Sequence, residues 1–147
     1  MNQIRIRVAG ILVREDQILL VRHEKNGNSY YLLPGGGMEF GETASQALIR
    51  EFQEEVGLSV DVGKLVMVQD SIPPNLHRQV LNLYFLAHSS IYELHVTQDQ
   101  VLKDAAFFPL DQFLKMKVNP DVKLEIMDGI RNNWVGSPVY LGNRWKD

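Results

Sequence analysis

Three glutamates, Glu51, Glu54 and Glu55, stand within five positions in the stretch "IREFQEEVG" at residues 49–57. The stretch is amphipathic at helical spacing, and like charges three or four residues apart on a helix cost roughly 0.2–0.5 kcal/mol per pair. A solvated acidic face is one interpretation. The other is a carboxylate cluster that holds a hard divalent cation such as Mg²⁺ or Mn²⁺, which prefers oxygen ligands.

The helix that would carry these carboxylates is predicted from about Thr43 to Val56, with Thr43 or Glu42 near its start and Gly57 as its stop. At about 100° per residue, its apolar side chains and its three glutamates fall on separate faces. The preceding "PGGG" at residues 34–37 is predicted to be a shaped loop that allows close backbone approach. Phosphates bridged to a metal would then lie across this loop and the helix N-terminus.

The composition is typical of one globular domain, which we place at residues 1–147. The net charge of -3 gives no general basic footprint for nucleic acid, although a local basic groove stays open. The absence of cysteine removes a disulfide framework and a thiolate zinc site, and a cytoplasmic location is expected. No apolar run approaches the length of a membrane span, so no membrane partner is expected.

The rest of the sequence alternates between strand and turn patterns. Residues 4–22 are predicted to form two strands, and residues 23–29 a polar loop. In the strand predicted at 78–88, Val80, Leu83 and Phe85 are expected to be buried. The other predicted elements are strands at 30–33, 60–70 and 91–97, a strand running into a helical turn at 105–113, and a final helix from about Asp121 to Asn132. The pattern indicates an α+β protein, an α/β/α sandwich with a mixed β-sheet between helices.

One motif resembles a known family. Gly36, five residues, Glu42, seven residues and then "REFQEEVGL" from Arg50 to Leu58 resemble the Nudix box of the Nudix hydrolase family, G-x5-E-x7-R-E-U-x-E-E-x-G-U, where U is bulky and apolar. Every specified position matches, with Phe52 where Leu, Ile or Val is commoner. The flanking "LPGG" and the later "FFPLDQF" also resemble the family, and fixed residues at fixed spacing make chance agreement very improbable.

The resemblance implies a Nudix fold and the metal-dependent hydrolysis of a diphosphate linkage in a nucleoside diphosphate joined to another moiety. It implies direct binding of Mg²⁺ or Mn²⁺ by Glu51 and Glu55. Glu54 would be a further ligand or the carboxylate that activates water, and the carbonyl of Gly35 would complete the ligand set. Two or more bound cations would neutralise the diphosphate and lower the pKa of a water.

The resemblance also assigns supporting roles. The catalytic residues would be Glu54 and Glu55 together with Glu42 and Arg50. The role of Glu42 and Arg50 would be to organise the loop and helix as an ion pair. Many family members carry a further glutamate about six residues before an aromatic residue, as ligand or base. If Phe107 is that aromatic, this position is Val101 here, which leaves the general base open. The nearby candidates for the base are Asp99 and Asp104.

The substrate is less constrained. Pro73 and Pro74, which lie 15 and 16 positions beyond Leu58, resemble a marker of ADP-ribose and nucleoside diphosphate sugar hydrolases, although a rigid turn explains them equally. Pyrophosphate removal from RNA 5′ ends, nucleoside triphosphates, dinucleoside polyphosphates and a catalytically silent nucleotide-binding domain stay open, as does a homodimer. Candidate substrate contacts are Gly36, Gly37, Glu39, Arg22, Tyr31, His77 and Arg78, together with Arg5, Arg7 and His23.

Overall fold

The computed structural model describes residues 2–145, so both ends of the domain predicted at 1–147 lie outside the described residues. The strands are β1 Ile4–Ile11, β2 Val13–Arg14, β3 Gln17–Lys25, β4 Asn28–Leu32, β5 Gly35–Gly37, β6 Asp61–Ser71, β7 Gln79–His88, β8 Leu102–Pro109 and β9 Val139–Asn143. The helices are α1 Ala44–Val56, α2 Leu110–Phe113 and α3 Lys123–Arg131. Within the described chain, no helix is long and apolar enough to cross a membrane.

The strands form two sheets. The larger sheet has the order β5-β1-β7-β6-β9 and is mixed, because β1 and β7 run parallel whereas β1 and β5 run antiparallel. The smaller sheet contains β2, β3 and β4, and β8 also pairs with β3. The predicted α+β architecture with mixed sheet pairing is confirmed.

Two hydrophobic cores flank the sheets. The first lies under α1, which contributes the fully buried Leu48, Phe52 and Val56. The second lies under α3 and includes Ile126 and Tyr84. Since the apolar face of α1 is buried in the first core, its glutamates are left for the opposite faces.

Helix α1 begins and ends where the sequence predicts. The Thr43 hydroxyl accepts a hydrogen bond from the Gln46 N–H at 3.1 Å, and the Gln46 side chain accepts one from the Thr43 N–H at 2.9 Å. These two bonds form a capping box. Gly57 ends the helix in the left-handed conformation, with φ of 70°. The final helix α3 likewise falls within the predicted 121–132.

Two segments predicted as loops are strands. Residues 23–29 form the end of β3 and the start of β4, joined by a tight turn at Asn26 and Gly27, whose φ angles are 53° and 79°. This Asn-Gly pair is the preferred sequence of a two-residue hairpin. Gly35–Gly37 pairs antiparallel with β1 as strand β5. A glycine run has no local strand signal, so only this long-range pairing defines it.

Other differences concern burial and pairing. Residues 91–97 form no strand, because their alternating apolar side chains, including Tyr92 and Val96, pack on the core under α1 without a partner strand. Strand β9 was not predicted. In β7 the expected core residues Val80, Leu83 and Phe85 are only half-buried. The buried positions of β7 are Asn82, Tyr84 and Ala87, since a central strand is covered on both faces and alternation does not choose between them.

Candidate active site

Arg50 lies at the centre of the acidic cluster on α1. Its guanidinium donates to both carboxylate oxygens of Glu42, at 3.1 and 2.7 Å. It also donates to Glu51 Oε1 at 2.9 Å and to Glu54 Oε2 at 3.3 Å. A further bond to the Gly37 carbonyl, at 3.1 Å, ties the helix to β5. One cation thus links three carboxylates and the glycine strand in a fixed geometry.

Glu42 is fixed from two sides. Its carboxylate accepts the two bonds from Arg50 and a third from the Glu39 N–H, at 2.7 Å. The Arg50 guanidinium, aided by this N–H, holds the pKa of Glu42 below its ordinary value. The same interaction raises the pKa of Arg50. Glu39 itself is exposed, and its carboxylate lies 3.8 Å from Arg50.

Glu51 and Glu55 are the desolvated carboxylates of the cluster. Burial raises the pKa of Glu55 to about 7, against the hydrogen bond that its Oε1 accepts from the Gly35 N–H at 2.8 Å. Burial also raises the pKa of Glu51, against the effect of Arg50. Two neighbouring carboxylates whose charged forms are disfavoured by the protein are well suited to a further cation.

The glycines of β5 leave no room for side chains. A Cβ at Gly36 would lie 2.4 Å from the Glu51 carboxylate carbon, and one at Gly35 would lie 1.9 Å from the Val8 carbonyl oxygen. A Cβ at Gly37 would lie 2.7 Å from Arg5 Nε. The glycine strand therefore lies in close contact with β1 and with the carboxylates of α1.

A cavity of about 280 Å³ joins the glutamates to the segment before β8. Glu51, Glu54, Glu55 and Asp99 line it. Asp99 Oδ1 accepts backbone bonds from residues 101 and 102 at 2.7 and 2.6 Å, and these bonds lower its pKa. Of the two candidate bases, Asp99 is the one that shares this cavity.

Asp104 and Arg22 lie elsewhere. Asp104 Oδ2 accepts bonds from Arg22 Nε and Nη2, at 3.0 and 2.9 Å, and Arg22 also donates to Glu24 and Ser29. Neither residue lines the cavity of the glutamates or the larger cleft beside Glu51. The structure therefore gives Arg22 and Asp104 an interaction within the smaller sheet and does not bring them to the other candidate residues.

A larger cleft of about 570 Å³ lies beside Glu51. Its lining includes Gly35 and Gly36 and four arginines: Arg5, Arg7, Arg78 and Arg144. Arg7 is held by a bond from Nη2 to the Leu33 carbonyl, at 3.0 Å. The volume is within the usual range for small-molecule sites, and the arginines favour an anionic ligand.

The remaining predicted contacts divide between this cleft and the rest of the chain. Arg78 lines the cleft, with its guanidinium 5.4 Å from the centre of the Trp145 ring. His77 contacts Trp145 edge to face but does not line the cleft. Tyr31 packs edge to face on Phe108, with ring centres 5.3 Å apart. Since neighbouring residues of a strand point to opposite faces, Tyr30 lines the cleft instead.

Sequence reasoning missed several residues of the cleft. These are Tyr30, Ser71, Asn82, Arg144 and Trp145. They come from separate strands and from the end of the described chain, and no motif links them. Only the sheet register that places β6 beside β7 would have identified Ser71 and Asn82 as neighbours.

The donor set suits a hard divalent cation. Among residues 2–145 no three acidic or histidine side chains converge on one metal-sized point. The Arg50 guanidinium and the Gly35 N–H occupy oxygens of Glu51, Glu54 and Glu55. These carboxylates nevertheless share one cavity and supply only oxygen ligands, and burial disfavours the charge on two of them. In the chemistry of their donor atoms, the residues therefore fit Mg²⁺ or Mn²⁺.

Comparisons with known proteins all indicate the same family. The profile of the NUDIX domain matches residues 3–128. An ADP-ribose pyrophosphatase of Methanocaldococcus jannaschii is 33% identical over 112 residues, which cover 76% of this chain and 65% of that protein. An NAD-capped RNA hydrolase of Pseudomonas aeruginosa is 29% identical over 134 residues, which cover 90% of this chain and 46% of that protein. The chain thus spans only part of the length of these curated relatives.

Solved structures show the same fold. A MutT NUDIX hydrolase from Burkholderia pseudomallei superimposes with a TM-score of 0.67 at 27% identity, covering 75% of this chain and 86% of that one. The profile match over most of the chain and this structural likeness agree with the motif that runs from Gly36 to Leu58. The chain belongs to the NUDIX family.

Proposed function

We propose that the protein is a divalent-metal-dependent pyrophosphohydrolase, folded as a single domain, that cleaves the diphosphate linkage of a nucleoside diphosphate joined to another moiety. The observation that carries this proposal is the pair of desolvated carboxylates, Glu51 and Glu55, beside a cleft lined with arginines. ADP-ribose and nucleoside diphosphate sugars are the favoured substrates. The similarity to an ADP-ribose pyrophosphatase supports this choice.

The carboxylates of Glu51 and Glu55 would hold Mg²⁺ or Mn²⁺, with the Gly35 carbonyl as a further ligand, and Glu54 would be either a further ligand or the base. When bound, the cation neutralises phosphate charge and lowers the pKa of a coordinated water. Arg50 keeps the carboxylates in place through its bonds to Glu51 and Glu54. This arrangement supplies the positioning that phosphoryl transfer requires.

The chain's own residues complete the reaction. Arg5 and Arg7 bind the diphosphate oxygens, since they line the cleft beside Gly36. A water oxygen attacks one phosphorus, the bond from that phosphorus to the bridging oxygen breaks, and a carboxylate takes the proton from the water. Glu54 is the base that we favour, because it shares the cavity of Glu51 and Glu55, and backbone bonds lower the pKa of the alternative, Asp99. The products are a nucleoside monophosphate and a second phosphate monoester.

RNA 5′ ends are a second candidate substrate, and one observation favours them. The Pseudomonas aeruginosa relative is an NAD-capped RNA hydrolase and matches 90% of this chain. A nucleotide-binding domain without turnover is the alternative outside catalysis, and a cytoplasmic location and a homodimer stay predictions. Turnover assays separate the two classes of substrate from nucleotide binding without turnover.

The test is chromatographic detection of the nucleoside monophosphate and the other hydrolysis products from ADP-ribose, UDP-glucose, deoxynucleoside triphosphates, Ap4A and triphosphorylated RNA, with and without Mg²⁺. We expect Mg²⁺-dependent turnover that is highest with ADP-ribose or UDP-glucose. Glu55→Gln should reduce turnover by more than about 100-fold while the circular dichroism spectrum is kept. Asp104→Asn, the matched control, should leave turnover unchanged. Tight nucleotide binding with no turnover of any substrate would overturn the enzyme proposal.

A further inference from the structure

A chain of buried polar side chains runs beneath the cleft. The buried polar residues of the described chain are Gln69, Ser71 and Asn82, which are 0%, 8% and 2% exposed. All three belong to one hydrogen-bonded network with the buried Tyr84. Ser71 and Asn82 line the cleft, whereas Gln69 and Tyr84 lie behind them. Buried polar groups are costly unless they are paired, so this network requires an explanation.

The Tyr84 hydroxyl sets the direction of the bonds that Gln69 makes. Burial raises the pKa of Tyr84, so its hydroxyl stays protonated and donates to Gln69 Oε1 at 3.0 Å. This bond orients the Gln69 amide, whose Nε2 donates to Ser71 Oγ at 2.8 Å and to the Asp70 carbonyl at 2.5 Å. Asn82 Nδ2 donates to the same Ser71 Oγ at 3.3 Å.

Two hydrogen-bonding groups are left over at the cleft end of the network. A hydroxyl has one donor and two acceptor lone pairs, and Gln69 and Asn82 occupy both lone pairs of Ser71. The Ser71 O–H is therefore left as a donor. Asn82 Oδ1 is left as an acceptor, since none of residues 2–145 donates to it. Every fully buried side-chain nitrogen or oxygen in this part of the chain is paired, so Asn82 Oδ1 is open to the cleft.

The sheet register places this pair at a defined distance from the proposed phosphate site. Arg7 is directly opposite Gly37 on one side and Asn82 on the other, and Asn82 is opposite Gln69. Adjacent strands are about 4.8 Å apart, so Asn82 lies about 10 Å from Gly37 across the sheet. Gly37, Arg7 and Asn82 therefore lie in one row across the sheet, from β5 through β1 to β7.

The cleft also offers flat surfaces near the polar pair. Tyr30 and Trp145 both line the cleft, and the Arg78 guanidinium lies over the Trp145 ring. Aromatic rings and guanidinium groups are common stacking surfaces for nucleobases. The cleft thus combines a cationic end, planar side chains and a donor beside an acceptor.

We propose that Ser71 and Asn82 form a specificity subsite that reads the amino-bearing edge of a nucleobase, which is adenine when the substrate is ADP-ribose. This proposal rests on the proposed function and identifies the residues that would bind the nucleobase of its substrate. Adenine presents a ring-nitrogen acceptor beside its 6-amino donor, which pair with the Ser71 O–H and with Asn82 Oδ1. A 6-oxopurine has an acceptor in place of the amino group. Tyr84 and Gln69 hold an N–H donor against Ser71 Oγ, and they are positioning residues.

Binding measured without turnover tests the subsite. Isothermal titration in EDTA should show that the full chain binds AMP about 10-fold more tightly than IMP or ribose 5-phosphate. Asn82→Leu and Ser71→Ala should remove the preference for AMP over IMP and leave the affinity for ribose 5-phosphate unchanged. Ser45→Ala, on the exposed side of α1, is the control and should keep the preference. An equal affinity of the wild-type chain for AMP and IMP would overturn the proposal.

Tyr84→Phe tests the positioning role without touching the cleft. It should reduce the preference for AMP over IMP while ribose 5-phosphate still binds. Tyr92→Phe removes a hydroxyl from the opposite core and should have no effect. A loss of all affinities together in Tyr84→Phe would show a structural role only and would overturn the positioning role.

The two proposals fail separately. ADP-ribose turnover with a base preference that does not depend on Ser71 or Asn82 overturns the subsite and leaves the hydrolase intact. A preference for AMP that depends on these residues, in a chain that hydrolyses no substrate, overturns the hydrolase and leaves the subsite intact.

Discussion

At the scale of single residues, the crowding of glutamates on α1 is explained by Arg50. The sequence places Arg50 beside three glutamates, and all four residues occupy fixed positions of the Nudix box. The bidentate bond to Glu42 and the contacts to Glu51 and Glu54 show that Arg50 compensates part of the repulsion within the fold. The burial of Glu51 and Glu55 was not predictable from spacing, because it depends on the approach of β5 from a different part of the chain.

The ion pair of Glu42 and Arg50 predicts a pH-dependent stability. The pKa of Glu42 is lowered in the folded protein, from an ordinary value of 4.5. Its carboxylate therefore stabilises the fold above pH 4.5, and this contribution is lost as the pH falls through the lowered pKa. Glu42→Gln should lower the Tm at pH 7, and the difference from wild type should shrink in acid. Glu93→Gln, at an exposed position, should show no such difference. A constant difference from pH 7 to pH 3 would contradict the role of the charge.

At the scale of elements, helix α1 was predictable because its signals are local. Thr43 and Gly57 define its ends, and the apolar residues between them define its buried face. Strand β5 and the β3–β4 hairpin were missed for different reasons. The hairpin has a local Asn-Gly signal that a polar composition conceals, whereas β5 forms only by pairing with β1. Alternation at 91–97 has its origin in packing against α1 rather than in a sheet.

The contact between β5 and α1 predicts the effect of a single methyl group. Gly36→Ala places a Cβ 2.4 Å from the Glu51 carboxylate and should displace it, reducing turnover by at least about 10-fold. The fold should be kept, since a side chain at the surface of the cleft can move. Gly27→Ala is a suitable control: its φ of 79° makes alanine destabilising, but it lies far from the carboxylates and should leave kcat unchanged. Unchanged kcat in Gly36→Ala would show that Glu51 does not act from its observed position.

At the scale of the whole molecule, the sequence predicted the family and the fold class but not the cleft. The box accounts for one end of the cleft through Gly36 and Glu51. The other end is assembled from β6, β7 and the segment near Trp145, which are distant in sequence and carry no motif. Register between strands is decided by pairing over the whole sheet, so its consequences for Ser71 and Asn82 become visible only in the structure.

Because Glu51 and Glu55 bring two buried carboxylates to one site, we expect a bound cation to stabilise the whole fold. Ligand that binds only the folded state at 100 times its dissociation constant adds about 2.7 kcal/mol to the free energy of unfolding. For a chain of this size, saturating Mg²⁺ should then raise the Tm by about 5–10 °C in differential scanning calorimetry. Glu55→Gln should lose most of this increase, because it removes a ligand charge, whereas Asp104→Asn should keep all of it, because that carboxylate is bound to Arg22. An equal increase in wild type and Glu55→Gln would place the cation away from α1 and would contradict the assigned site.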